Sequence, residues 1–182
     1  LGHPADIEKI RQAAIDAAHM EAFTRAPEDV SLRRLVSFGL SPQLKTSFEQ
    51  IFSAPFLIEM LLAELHNDPA HDLVARLHYD GSFEFVSSPY AFASIHPETE
   101  KAAQTWVAEQ AGENPARDAV LEAMLQAWWM LRENKPFTEA PAEAERRQGW
   151  RDATRDRVLE IGWLDRKSSR QARFGWLPAP PA

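Results

Sequence analysis

With 182 residues, 45% of them hydrophobic and 26% charged, the chain has the make-up of a globular protein, which excludes a disordered or membrane-embedded class. It contains no cysteine, which removes disulfides, thiolate metal sites and cysteine nucleophiles together and fits a reducing cytoplasm. The formal net charge of −7 is uneven: nine basic residues against four acidic ones give +5 between Arg146 and Arg173, and the other 11 basic and 23 acidic residues leave −12 elsewhere.

Residues 6–24 set Ile7, Ile10, Ala14, Ala17 and Ala18 on one stripe with charged residues between them, the period of an amphipathic helix. The segment from Pro27 to Leu40 is ambiguous: Pro27-Glu28-Asp29 resembles a helix start, whereas Val30, Leu32, Val36 and Phe38 can alternate. It is predicted as a short helix or turn leading into a strand near Leu35–Phe38. Proline then punctuates the chain at first helical positions, where a missing N–H costs nothing. Ser41-Pro42 opens one helix and Pro55 the next. The apolar run from Ile51 to Leu65 falls short of the roughly 20 residues of a membrane span and reads as a buried core helix.

Further on, His96-Pro97 starts a helix with Glu98 and Glu100 near the positive end of its dipole and Gly112 at its stop. Asn114-Pro115 opens another, with Val120, Met124, Ala127 and Leu131 as its apolar stripe and Pro136 beyond its end. Trp106, Trp128 and Trp129 lie inside these helices and read as core. A join rich in Pro, Ala and Glu at 138–145 precedes a last helix at about 142–161, and the closing FGWLPAPPA is extended. The organisation is one helix-rich α+β domain with a small sheet built around one hairpin. Residues 1–145 form its core, and 146–182 add a basic C-terminal helix and a Pro-rich arm.

That hairpin, residues 73–87, carries Asp80-Gly81. A two-residue type I′ turn there pairs Leu77 with Glu84 and Arg76 with Phe85, apolar against charged. A type I turn over Tyr79-Asp80 with Gly81 as a left-handed bulge residue instead gives His78–Ser82, Leu77–Phe83, Arg76–Glu84, Ala75–Phe85 and Val74–Val86. In this register Ala75, Leu77, Phe83 and Phe85 face the core, and Arg76 and Glu84 stand on the other face.

The stretch DGSFEFVSSPYAFAS, a strand, a D-G turn, a second strand and a short polar loop, resembles the core of the ParB/sulfiredoxin superfamily. Members place a G-x-x-R phosphate motif at the start of a helix just after the second strand. Here Ser87 stands at the glycine and Tyr90 at the arginine. The resemblance spans about residues 35–95 and implies a ParB/sulfiredoxin-like fold. On overall character the chain is also similar to plasmid fertility-inhibition members of that superfamily. These are cytoplasmic proteins, peripheral at the inner membrane, that block conjugative DNA transfer through type IV secretion. The resemblance implies DNA or a transfer-machinery protein as partner, and ATP-responsive DNase activity with ATP and Mg2+.

Several groups are candidates for chemistry. Arg76 can bind phosphate while Glu84 orients a water or a metal, a catalytic pair; the plainer reading is an exposed cross-strand ion pair of little energy. Ser87, Ser88 and Tyr90 can supply hydroxyls and amides to a nucleotide. His66, Asp68, His71 and Asp72, with His78 and Asp80 downstream, mix imidazole with carboxylate as a zinc or nuclease magnesium site does, but match no ligand spacing; the plainer reading has His66 at a helix end, Asp68 capping the Pro69 turn and the rest in a solvated loop. No phosphate-binding glycine motif, G-x-S-x-G or H-E-x-x-H occurs. Arg146, Arg147, Arg151, Arg155, Lys167, Arg170 and Arg173, interleaved with Trp150, Trp163, Phe174 and Trp176, combine phosphate-pairing groups with stacking faces. They suit single-stranded DNA or an acidic protein equally. The plainer reading is a helix whose arginines pair with Asp152, Asp156 and Glu160 one turn away while the tryptophans pack inward. The alternative function is a non-enzymatic adaptor that binds an acidic protein partner through its helices and basic C-terminal arm.

Overall fold

The computed structural model describes residues 2–26, 30–52, 54–113, 115–156, 159–168 and 174–177. Its fold is mixed α+β, and the chain separates into two compact units, Leu1–Ala93 and Ser94–Ala182.

In the first unit, helix α1 (Pro4–Thr24) begins where His3 accepts a hydrogen bond from the Ala5 amide. It buries Ile10, with Ile7, Ala13 and Ala14 packed beside it. The predicted strand near Leu35–Phe38 does not form. Residues 32–49 are helical throughout: α2 (Leu32–Arg34), a π-helical stretch (Leu35–Leu40) and α3 (Ser41–Glu49) follow without a break. The spacing explains this, because the buried residues Leu32, Val36, Leu40 and Leu44 recur every four positions. On an α-helix of 3.6 residues per turn such a stripe drifts by about 40° at each step. The wider π turn takes up the drift and keeps all four on the core side. At the start of this helix the Glu64 carboxylate accepts the Leu32 amide at 3.1 Å and Ser31 accepts that of Arg34 at 3.4 Å, so two of the free N–H groups of the first turn find side-chain partners.

The run 51–65 is not a helix either. Helix α3 stops at Glu49, Ile51 and Phe52 project into solvent, Pro55 opens no helix, and Glu59–Glu64 form strand β1. β1 pairs antiparallel with β2 (Leu73–His78), which pairs with β3 (Phe83–Phe85), in the order β1-β2-β3. Met60 and Leu62 lie opposite Leu77 and Ala75 on the helix-covered face; Glu59, Leu61, Arg76 and Glu84 occupy the other. His66 therefore follows a strand.

The β2–β3 turn has the predicted form. Leu77 pairs with Phe83, Arg76 with Glu84 and Ala75 with Phe85. The Gly81 amide donates to the His78 carbonyl at 3.0 Å, and Gly81 has φ of 84°, in the left-handed region. Ala75 and Leu77 are fully buried and Phe85 packs against the same core, but Phe83 lies at the open sheet edge and is exposed. The turn docks on α3: the Ser41 hydroxyl donates to the Gly81 carbonyl at 2.6 Å, and a Cβ at position 81 would sit 2.5 Å from the Ser41 carbonyl oxygen.

In the second unit, α5 (Arg117–Arg132) packs against both α4 (Pro97–Ala111) and α6 (Glu143–Thr154). Gly112 ends α4 with φ of 75°, as the sequence predicts. The predicted cap Asn114 lies outside the described residues. Of the predicted α5 stripe, Ala127 and Leu131 are buried and Val120 and Met124 half-buried; burial extends to Ala123, Leu125, Trp129 and Met130, as befits a helix with neighbours on two sides. Trp106 and Trp129 are core residues and Trp128 packs at its margin. Helix α6 runs across position 145 and ends at Thr154, well before the predicted 161. Ile161–Leu164 instead form β4, antiparallel to β5 (Phe174–Leu177). Close packing of α6 on α5 rests on Gly149, where a Cβ would lie 2.2 Å from the Trp129 ring.

Gly149→Ala is therefore expected to cost about 1–3 kcal/mol by overpacking, and Gly81→Ala about 2 kcal/mol through backbone strain. Gly175→Ala, where an added Cβ meets nothing within 4 Å, should stay within about 0.5 kcal/mol of wild type. Urea unfolding midpoints of the three variants check the order.

Candidate functional site

The predicted catalytic pair is asymmetric. Arg76 sits on the middle strand and is only 8% exposed, because the chain following β3 crosses over it. Its guanidinium faces three acceptors: Nη1 donates to Glu84 at 3.3 Å and Nη2 to the Phe92 carbonyl, while Nε lies 3.4 Å from Glu59 Oε1 in an ion-pair contact without hydrogen-bond geometry. Glu59 also lies 3.8 Å from His78 Nδ1. Glu84, by contrast, has a side chain 59% exposed. The expected exposed ion pair is thus a buried guanidinium shared by two carboxylates and a carbonyl. Such a group is a strut that holds β1, β3 and the crossing chain to β2, and it presents no open edge to a phosphate.

Ser87 and Ser88 line a groove of about 490 Å³ beside Glu64, the Pro69–His71 turn, Val74 and Val86. Arg76, Glu84 and Tyr90 do not line it. Ser88 accepts the Tyr90 amide at 3.2 Å, a local turn contact. The helix that the resemblance places directly after the second strand is absent: residues 86–96 carry no helix, and α4 begins at Pro97. This groove therefore gathers Ser87 and Ser88 without the other predicted catalytic and nucleotide-binding residues.

The His/Asp cluster resolves into local contacts. Asp68 caps the single turn at Pro69–His71 by accepting the Ala70 amide at 3.0 Å, and Asp72 accepts the His66 amide at 2.9 Å. His71 stands 3.3 Å from Asp68, and His66 stands 3.4 Å from Glu64. Among the described residues no three ligating side chains converge as a metal site would require.

The basic residues of α6 are largely consumed inside the second unit. Arg146 donates to Gln126 at 2.7 Å and to the Pro141 carbonyl, with its guanidinium 5.0 Å from the Trp106 ring centre. Arg147 pairs with Glu122 at 3.3 Å and Glu143 at 2.8 Å, Arg155 pairs with Asp152, and Arg151 lies over the Trp150 ring. Glu122 Oε1 is a hub, also accepting Gln126 at 3.1 Å and the buried Trp150 indole at 3.3 Å. Lys167 is exposed in the turn after β4. Arg170 and Arg173 lie outside the described residues.

The sequence reading missed Glu59, which only the β1–β2 pairing brings to Arg76, and a cleft of about 490 Å³ between α5 and the β4–β5 hairpin. The repeated Gly-Trp-Leu in IGWL and FGWL was the available signal for that hairpin. Trp163, Phe174 and Trp176 are exposed on it, the last by 65%.

No family model matches the chain. A stretch of 82 residues is 34% identical to part of the proteasome subunit alpha of Actinosynnema mirum, covering 45% of this chain. The chain spans 30% of the length of that relative.

Two variants separate strut from catalyst. Arg76→Met takes a buried guanidinium away from Glu59 and should cost about 3 kcal/mol, whereas Glu84→Gln should cost less than about 1 kcal/mol; chemical denaturation measures both. The hairpin turn should also weaken in acid. The Ser82 hydroxyl and amide, donating to Asp80 at 2.6 and 2.9 Å, hold its carboxyl below the usual carboxylate range. A depressed carboxyl contributes stability above its unfolded pKa and loses it as pH falls through the folded value. Asp80→Asn should accordingly be less stable than wild type at neutral pH, with the difference closing in strong acid.

Proposed function

We propose that this chain is a non-enzymatic binding protein that engages an acidic protein partner through the basic, aromatic-bearing end of its second unit. One observation carries this reading: the charged groups that chemistry would need are occupied within the fold, while the apolar rings of the β4–β5 hairpin stand in solvent. Arg76 is shared among Glu59, Glu84 and the Phe92 carbonyl, and Arg146, Arg147 and Arg155 pair with neighbouring helix residues. Phe174 and Trp176 touch each other, with ring centres 5.0 Å apart, and remain exposed beside the turn that bears Lys167. Exposed aromatic residues next to cations are the composition of a protein-binding patch. The partly similar protein from Actinosynnema mirum is by its name a subunit, which agrees with a binding role.

A second reading is favoured by the hairpin register, which agrees pair for pair with the one argued from the sequence. In it the chain is a ParB/sulfiredoxin-like fertility-inhibition protein that blocks conjugative or type IV secretion DNA transfer, with ATP-responsive DNase activity. The two readings differ in whether DNA is cut.

Purified protein incubated with plasmid DNA, single-stranded oligonucleotide, Mg2+ and ATP decides between them. The expected result is intact DNA and no ATP turnover, together with salt-dependent binding to an immobilised poly-glutamate peptide that falls in the Phe174→Ala/Trp176→Ala double variant. DNA cleavage that disappears in Glu84→Gln would replace the binding reading with the second one.

A further inference from the structure

Strands β4 and β5 contain no polar residue: Ile-Gly-Trp-Leu lies against Phe-Gly-Trp-Leu. Antiparallel register puts Ile161, Trp163, Gly175 and Leu177 on one face and Gly162, Leu164, Phe174 and Trp176 on the other. The first face borders α5 across the cleft of about 490 Å³, whose walls include Val120, Leu121, Met124, Ile161, Trp163 and Leu177. That volume lies within the range of small-molecule sites, about 300–1,000 Å³.

Among the described residues that line this cleft, Arg117 is the one that carries charge. Its guanidinium lies 5.8 Å from the Trp163 ring centre, and its side chain is half-exposed at the start of α5. Its counter-ion in the fold is Asp118, 3.0 Å away, the adjacent residue and itself largely exposed. A solvent-exposed pair of this kind contributes little, so the guanidinium can exchange Asp118 for another anion at small cost. The walls and the rim then select in sequence. Apolar walls favour a hydrocarbon body, and a single cation favours a single anionic head. A cationic amphiphile meets like charge at the rim, a neutral one leaves the guanidinium unused, and a polyanion gains nothing from the walls.

We propose that the cleft between α5 and the β4–β5 hairpin binds an amphipathic monocarboxylate, its alkyl chain against Val120, Met124 and Leu177 and its carboxylate on Arg117. The assignment is independent of the acidic protein partner proposed above, because it uses the α5-facing side of the hairpin and not the Phe174–Trp176 side.

The test titrates the intact chain with decanoate, decan-1-ol and decyltrimethylammonium below their micellar concentrations, by calorimetry and tryptophan fluorescence. One decanoate should bind per chain, about tenfold more tightly than decanol, as a charge-assisted contact predicts. The cation should bind most weakly. Arg117→Gln should remove the advantage of decanoate over decanol, and Val120→Trp, checked for folding by circular dichroism, should abolish binding of both. Absence of saturable decanoate binding would overturn the proposal. So would equal affinity for decanoate and decanol in wild type, or decanoate affinity that is unchanged in either variant.

Discussion

The first unit is organised around a charge that the sheet cannot expose. Arg76 lies on the central strand, and a guanidinium there has to exchange its water for protein acceptors. Glu59 comes from β1, Glu84 from β3, and the Phe92 carbonyl from the chain that closes over the sheet. Each acceptor belongs to a different segment, so one residue ties four pieces of backbone into a single arrangement. Slipping either strand by one residue would send its glutamate to the helix-covered face. A buried ion cluster of this sort contributes less to net stability than its contacts suggest, since desolvation offsets the attraction. Its effect is on register: alternative pairings leave the arginine stranded.

The second unit solves the same problem with a helix. Glu122 on α5 collects hydrogen bonds from Gln126 and Trp150 and an ion pair from Arg147, while Gln126 in turn accepts from Arg146. The network spans α5 and α6 at the level where Gly149 lets the helices approach over Trp129. Packing and polar satisfaction thus reinforce each other, since the glycine brings the helices close and the carboxylate fixes their rotation. The consequence for charge is direct. Of the positive excess between Arg146 and Arg173, the charge of Arg147 is met by Glu122 and Glu143, whereas Arg146, held by Gln126, the Pro141 carbonyl and the Trp106 ring, keeps its own.

Legibility in the sequence followed the range of the interactions. The β2–β3 register could be read because a tight turn leaves two registers, and one of them opposes apolar to charged side chains. Helices α1 and α4 could be read because their stops and stripes are local. The run 51–65 could not, because β1 is a strand only by virtue of β2, and its Leu-Leu-Ala centre fits a helix as well as a strand. The four-residue spacing from Leu32 to Leu44 was hidden for another reason: as a multiple of the period of two it also fits one face of a strand, and on a helix it needs a π turn to align. As for the candidate site, residue types near Arg76 were legible but their environment was not. Alternation put Arg76 on the outer face, which is correct, and only the crossing chain at Phe92 converts that face into an interior.

That conversion bears on function more than any motif does. A phosphate-binding arginine must give up little to meet its ligand, so it is held loosely or on one edge. Arg76 would have to abandon two carboxylates and a carbonyl in a buried setting, and the anion replacing them would enter beside Glu59 and Glu84, which repel it. The same logic applied to the second unit gives the opposite result. Arg117 is half-exposed, its partner is an adjacent exposed aspartate, and its neighbours in the cleft are apolar. Releasing it costs little and no carboxylate is among the described residues that line the cleft, so a guanidinium well placed to meet an outside anion lies away from the one that the hairpin made conspicuous.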